Sequence, residues 1–135
     1  MIYGGVNYLA VLVATVAGMA SGAVWYGALA RPWQSAAGLT PERIAAAGGQ
    51  AGKYALAALA KFVIAFCLAK LLRVLDAVSI GNSFALALFL WLGFVAMPMI
   101  VNHRFQLHPW RLTFIDGGYW LLVLALQGLV IGFFG

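Results

Sequence analysis

Apolar residues along this chain do not alternate with polar ones at a strand period or repeat as a one-sided helical stripe. They run on, in four stretches near Val6–Leu29, Tyr54–Leu75, Ile80–Val101 and Leu112–Phe134. A helix needs about 20 predominantly apolar residues to cross the hydrocarbon of a bilayer. The pattern therefore predicts an all-α integral membrane protein, a four-helix bundle forming one transmembrane domain over residues 1–135. Ala28-Leu29-Ala30 resembles a small-x-small cleavage site. The first stretch is nevertheless expected to be a retained span, because it lacks a basic start and is too long for a signal-peptide core.

Between the first two stretches, residues 31–52 break the apolar pattern with Pro32, Gly38, Pro41 and Gly48-Gly49. Within them, Thr40-Pro41-Glu42 supplies a helix N-cap, a proline at the first helical position and an early acid. A short helix through Ile44 and Ala47 follows, too short to span, ended by Gly48, and expected to lie at the membrane interface beside Trp33. The other two links, Asp76 to Ser79 and His103 to Arg111, are short and make neighbouring spans antiparallel. Pro98 in Met97-Pro98-Met99 removes a backbone donor late in span three, where a kink or a locally opened helix is expected.

Composition sharpens the picture. The chain is 65% hydrophobic and 8% charged, with a mean hydropathy of +1.00, too little charge to cover a water-exposed surface. The net charge of +5 does not imply nucleic acid, because the basic residues stand singly among apolar runs. They report topology instead. Arg31, Arg43, Lys53, Arg104 and Arg111 flank one face and Lys70 with Arg73 the other, so the first face is expected to be cytoplasmic and both termini periplasmic. Cys67 is the single cysteine and excludes an intrachain disulfide.

Two strips of small residues predict close helix contacts: Ala14, Gly18 and Gly22 with Ser21 in span one, and Gly128 with Gly132 in span four. They fit internal packing or the seam of a homo-oligomer. Lys61 and Asp116 fall inside spans two and four at similar depths from the same face, and an intramembrane charge is costly unless paired or wet, so the two are candidates for an ion pair. The simpler alternative has Lys61 snorkelling to the headgroups and Asp116 capping its helix. Asp116, Trp120, Val123 and Gln127 share one helical face, expected to point inward. Trp25, Tyr26, Tyr119, Trp120, Asn102 and His103 lie at one level and are candidates for lining a small pocket, or for the ordinary interfacial aromatic belt. His103 and His108 have too few companions for a metal site, and no cofactor is expected. Asn7 and Asn82, at the outer ends of spans one and three, are expected to cap or to bridge helices.

A family resemblance rests on Asn7-Tyr8-Leu9-Ala10-Val11, Trp25-Tyr26-Gly27 with Trp33, Gly38-Leu39-Thr40-Pro41-Glu42, Trp91-Leu92-Gly93-Phe94 with Asn102, and Ile115-Asp116-Gly117-Gly118-Tyr119. In that order, over nearly the whole chain, they look like the uncharacterised bacterial membrane-protein family catalogued as domain of unknown function 1761. The resemblance implies four spans in a bacterial inner membrane and carries no activity, substrate or cofactor. The family commonly has an acidic residue after the phenylalanine of span three, whereas here Gln106 follows Phe105.

No nucleophile stands with a base and no glycine-rich loop is placed to hold phosphate, so an enzyme is not expected. The leading expectation is a small noncatalytic membrane protein that contacts lipids and self-associates or docks as an accessory subunit of a larger complex. The alternative is a minimal dimeric transporter or channel using Lys61, Asp116, Asn102 and Trp25. It is weakened by the lack of a buried glutamate in span one and of a polar stripe crossing the membrane. An intramembrane lipid-handling enzyme ranks last, because only Asp116 and His103 offer themselves as a base.

Overall fold

The computed structural model of the protein describes residues 2–135. Residues 2–7 are not helical, although most are apolar. Gly4 and Gly5 both take positive φ, 58° and 79°, the geometry of a two-residue hairpin turn. Strand β1 (Ile2–Tyr3) consequently folds back on β2 (Val6–Asn7). Asn7 then caps helix α1 (Tyr8–Ala28), its side chain accepting from the Ala10 amide at 3.3 Å.

Two short helices follow where one was expected. α2 (Ala30–Ala37) carries Pro32 in its first turn, where the missing amide is harmless, and Gly38 in the left-handed conformation ends it. α3 (Pro41–Ala46) starts as the sequence predicts, with Thr40 accepting from the Arg43 amide at 3.2 Å. Then come α4 (Ala51–Val74), α5 (Ile80–Leu90), a wider π-helical stretch over Trp91–Ala96, α6 (Met97–Phe105) and α7 (Trp110–Phe134). The widened turns immediately precede Pro98, where the ring cannot donate back along the helix. Ser79, not Asn82, caps α5, through its hydroxyl and the Asn82 amide.

Among the described residues, four helical stretches are long and apolar enough to cross a membrane: Tyr8–Ala28, Ala51–Val74, Ile80–Phe105 and Trp110–Phe134. At 1.5 Å per residue even the 21-residue α1 is about 31 Å long, the thickness of bilayer hydrocarbon. Asn7 reaches the Phe134 carbonyl, Lys70 the Gly4 carbonyl and Arg73 the Gly135 carbonyl, so both chain ends and the α4–α5 link gather at one end of the molecule.

α7 packs between α1 and α5, and α1 packs between α7 and α4. Lipid tails compete with apolar side chains as well as other side chains do, so close contact rather than hydrophobic burial holds such helices together. Small residues provide it. A Cβ built on Gly128 would stand 2.7 Å from the Ser83 carbonyl oxygen, and one on Gly132 only 2.6 Å from that of Ser79. Near the end where the termini meet, α4 closes on α1 through Val11, Ala14, Ala65, Leu68 and Leu72. Toward its own N-terminus it opens, for residues 51–60 contribute nothing buried.

Candidate functional site

The divergence of α4 leaves a cleft of about 810 Å³ between it, α1 and α7, with Trp33 of α2 at the edge. Lys61 lies in it, on the second half of the third turn of α4, where the helices begin to converge. It is 4% exposed, and its ammonium nitrogen lies 5.0 Å from the centre of the Tyr119 ring and 5.1 Å from that of Trp120. Among the described residues, no side chain or backbone oxygen accepts a hydrogen bond from it. The stem of the lysine crosses Gly18, where an added Cβ would stand 3.1 Å from Lys61 Cδ. Gln127, 0% exposed, fixes this floor by donating from Nε2 to the carbonyls of Ala14 at 3.3 Å and Lys61 at 3.1 Å.

Asp116 lies in the same cleft and is held differently. α7 begins at Trp110, directly after Pro109, so Asp116 stands almost two turns inside the helix and does not cap it. Its carboxylate accepts from the Tyr26 hydroxyl at 2.7 Å. Tyr26 in turn is set by ring contacts on both sides, 5.1 Å to Trp33 and 4.9 Å to Tyr119. Gly22 makes room, since a Cβ there would meet the Tyr119 oxygen at 2.8 Å. Lys61 and Asp116 thus face one cavity but form no direct ion pair; no Lys or Arg nitrogen lies within 4.0 Å of an Asp or Glu carboxylate among the described residues. Nor does Lys61 extend to the helix end. At 1.5 Å per residue it sits about 15 Å along α4, level with Tyr119 about 14 Å along α7, and stays at that depth over the rings.

The remaining candidates separate. Trp25 turns away from the cleft, donating from Nε1 to the Ile115 carbonyl at 3.0 Å and packing where a Cβ on Gly118 would be only 2.9 Å from its ring. Asn102 is exposed and lines a different groove of about 430 Å³ with His103 and Gln106, on the far side of Trp120. His103 Nδ1 meets the Thr113 hydroxyl at 2.8 Å, which also accepts from Arg104 at 2.7 Å, and the Arg104 guanidinium stacks 3.7 Å over Trp110. These contacts lock the α6–α7 corner. His103 and His108 rings lie 5.5 Å apart, yet no three metal-ligating side chains gather among the described residues.

Both small-residue strips are occupied from within the chain. Gly18 and Gly22 meet Lys61, Gln127 and Tyr119, Ala14 meets Gln127, and Gly128 and Gly132 meet α5. Ser21 donates to the Gly18 carbonyl of its own helix at 2.8 Å. Sequence reasoning overlooked Lys53 and Tyr54 at the mouth of the cleft and did not connect Trp33 with Tyr26. The signal available for Trp33 was its place one turn beyond the end of an aromatic-tipped span.

The family described as protein of unknown function, DUF1761, matches residues 9–132. The chain belongs to this family. The match runs from the first turns of α1 to the last turn of α7, so family membership covers every residue of the cleft. No curated protein and no solved structure matches the chain.

Proposed function

We propose that the protein is a noncatalytic, membrane-embedded binding protein whose α1/α4/α7 cleft takes a tailed small molecule with an anionic group. The observation that carries this reading is Lys61: 4% exposed, facing a cleft of about 810 Å³, its ammonium set over two ring faces and without a hydrogen-bond acceptor among the described residues. An ammonium group held at the depth of a membrane-spanning helix is costly unless an anion or a set of acceptors answers it, and the described residues supply neither to the Lys61 nitrogen. An anionic ligand does. The counts of Lys and Arg support placing the open end of the cleft in the cytoplasmic half of the membrane and both termini in the periplasm of a bacterial inner membrane.

The one-sided shape favours a binder over a pore. Beyond Lys61 the contact between α1 and α4 is apolar and closed, through Ala14, Ala65 and Leu68. Docking to a larger complex or self-association draws no support from the small-residue strips, since these are filled internally, and an oligomer would have to use other, lipid-facing surfaces.

The test is quenching of tryptophan fluorescence in nonionic micelles by brominated phosphatidylglycerol, with Trp33 and Trp120 reporting from the cleft. Saturable quenching in the wild type that Lys61→Met removes is expected. Quenching that rises linearly with lipid, identically in both proteins, would refute the reading.

A further inference from the structure

The cleft holds charges of both signs and keeps them apart. In a low-dielectric site a lone cation and a lone anion attract strongly and would close on each other if free to do so. Here each is tethered. Asp116 is bound to the Tyr26 hydroxyl at 2.7 Å, and Tyr26 is wedged between Trp33 and Tyr119. Lys61 lies over Tyr119 and Trp120. Tyr119, 5% exposed, is therefore common to both tethers: one ring touches Tyr26 at 4.9 Å and carries the ammonium at 5.0 Å. One ring thus takes part in holding both charges in place.

We propose that the ligand is a zwitterionic membrane phospholipid, its phosphate answering Lys61 and its ammonium answering Asp116 beside the Tyr26 and Trp33 rings, an inference that rests on the cleft being a binding site. An ammonium group is recognised by a carboxylate flanked by aromatic rings, and a phosphate by a lysine. A purely anionic head satisfies Lys61 and leaves Asp116 repelling it; a zwitterion satisfies both. The bilayer is the source because the cleft is walled near its mouth by small and apolar residues, Ala23 and Gly27 of α1 and Leu56 and Ala57 of α4. Ala23, Gly27 and Leu56 are exposed on apolar spans, so an acyl tail leaving between the two helices stays in lipid. Lys53, exposed at the rim, sits where a second phosphate oxygen or a neighbouring head is met.

The experiment is native mass spectrometry of the full chain in nonionic detergent, offered equal amounts of phosphatidylethanolamine and phosphatidylglycerol with the same acyl chains. The wild type is expected to retain the zwitterionic lipid about tenfold better, the ratio a single charge-assisted contact supplies. Asp116→Asn should bring the ratio near one while lipid is still retained, and Lys61→Met should lose both lipids. Equal retention by the wild type, or a preference that Asp116→Asn leaves intact, overturns the zwitterion and leaves the anion-binding cleft standing. Absence of any retention that depends on Lys61 overturns both. Displacement of the lipid by free phosphoethanolamine at equal concentration overturns the bilayer as source. Should Asp116→Asn not fold, the wild-type ratio alone decides, and Tyr26→Phe, which frees the carboxylate without removing it, gives the second reading.

Discussion

Replacing Gly132 with alanine tests whether the α7 strip meets α5 of its own chain or another molecule. The new Cβ would stand 2.6 Å from the Ser79 oxygen, 2.8 Å from Ile80 Cα and 2.9 Å from the Ser79 carbonyl carbon. All three are backbone atoms, so no rotamer change relieves them. Restoring an ordinary contact near 3.4 Å requires the start of α5 to retreat by about 0.8 Å. Overpacking of this kind costs about 1–3 kcal/mol, while alanine gains about 0.5–1 kcal/mol over glycine within a helix. A net loss of up to about 2.5 kcal/mol follows. Gly128→Ala meets the Ser83 oxygen at 2.7 Å one turn away, and the same outward movement of α5 relieves both, so the double variant should lose less than the sum. Gly81→Ala, on α5 itself with nothing within 4 Å, is the control and should be neutral or slightly stabilising. The assay is reversible unfolding in mixed micelles followed by tryptophan fluorescence, with the native mass recorded alongside. A Gly132→Ala protein that unfolds with the control but changes its oligomeric mass would refute the assignment of this strip to internal packing.

Two further outcomes are expected in the same unfolding assay. Lys61→Met replaces an ammonium that has no hydrogen-bond acceptor among the described residues with an apolar chain of similar length and should stabilise the empty protein by about 1–2 kcal/mol while removing lipid binding; destabilisation would mean that the two ring contacts outweigh the cost of holding the charge at this depth. Gln127→Leu should change stability by under about 1 kcal/mol, because the carbonyls it serves belong to helices and its Oε1 is unpartnered, whereas Gln127→Glu buries a charge and should cost more than about 3 kcal/mol; equal effects would sink the placement of this side chain.

The four long apolar helices were legible because the length and hydropathy of each run mark them, and their errors are local. Val6 and Asn7 read as the start of a span, yet two glycines turn the backbone there before the helix begins. Pro109 starts α7 two residues before the apolar run suggested, which carries Asp116 away from the helix end and removes its capping role. The candidate site was legible in depth and not in angle. Counting residues placed Lys61, Asp116, Tyr26, Tyr119 and Trp120 near one level, and all five face the cleft. The same count gave Trp25 and Asn102, which point elsewhere. Which way a side chain points around its helix depends on the neighbour it packs against, and that neighbour is remote in sequence: Trp25 is turned by Ile115 and Gly118. The absence of a Lys61–Asp116 pair follows from the same cause, since each charge has other neighbours: the Tyr26 hydroxyl for Asp116, and the rings of Tyr119 and Trp120 for Lys61.

These observations assign different tasks to different helices. The contacts that would put an added Cβ closer than 3.0 Å lie between α7 and α5 and between α1 and α7, so three helices share a tightly fitted frame. α4 joins that frame through its second half, by residues such as Ala65, Leu68 and Leu72, while its first ten residues form one wall of the cleft and bury nothing. Asp116, Tyr26 and Tyr119 belong to the frame, and Lys61 stands where the α4 wall meets it. A ligand bridging Lys61 and Asp116 therefore ties the least supported segment to the most supported one. Binding should accordingly be read most strongly in the first half of α4, as slowed amide exchange over residues 51–60 when lipid is added, with little change in α7. Equal protection across all four spans would show general tightening by the lipid annulus and would argue against occupancy of the cleft.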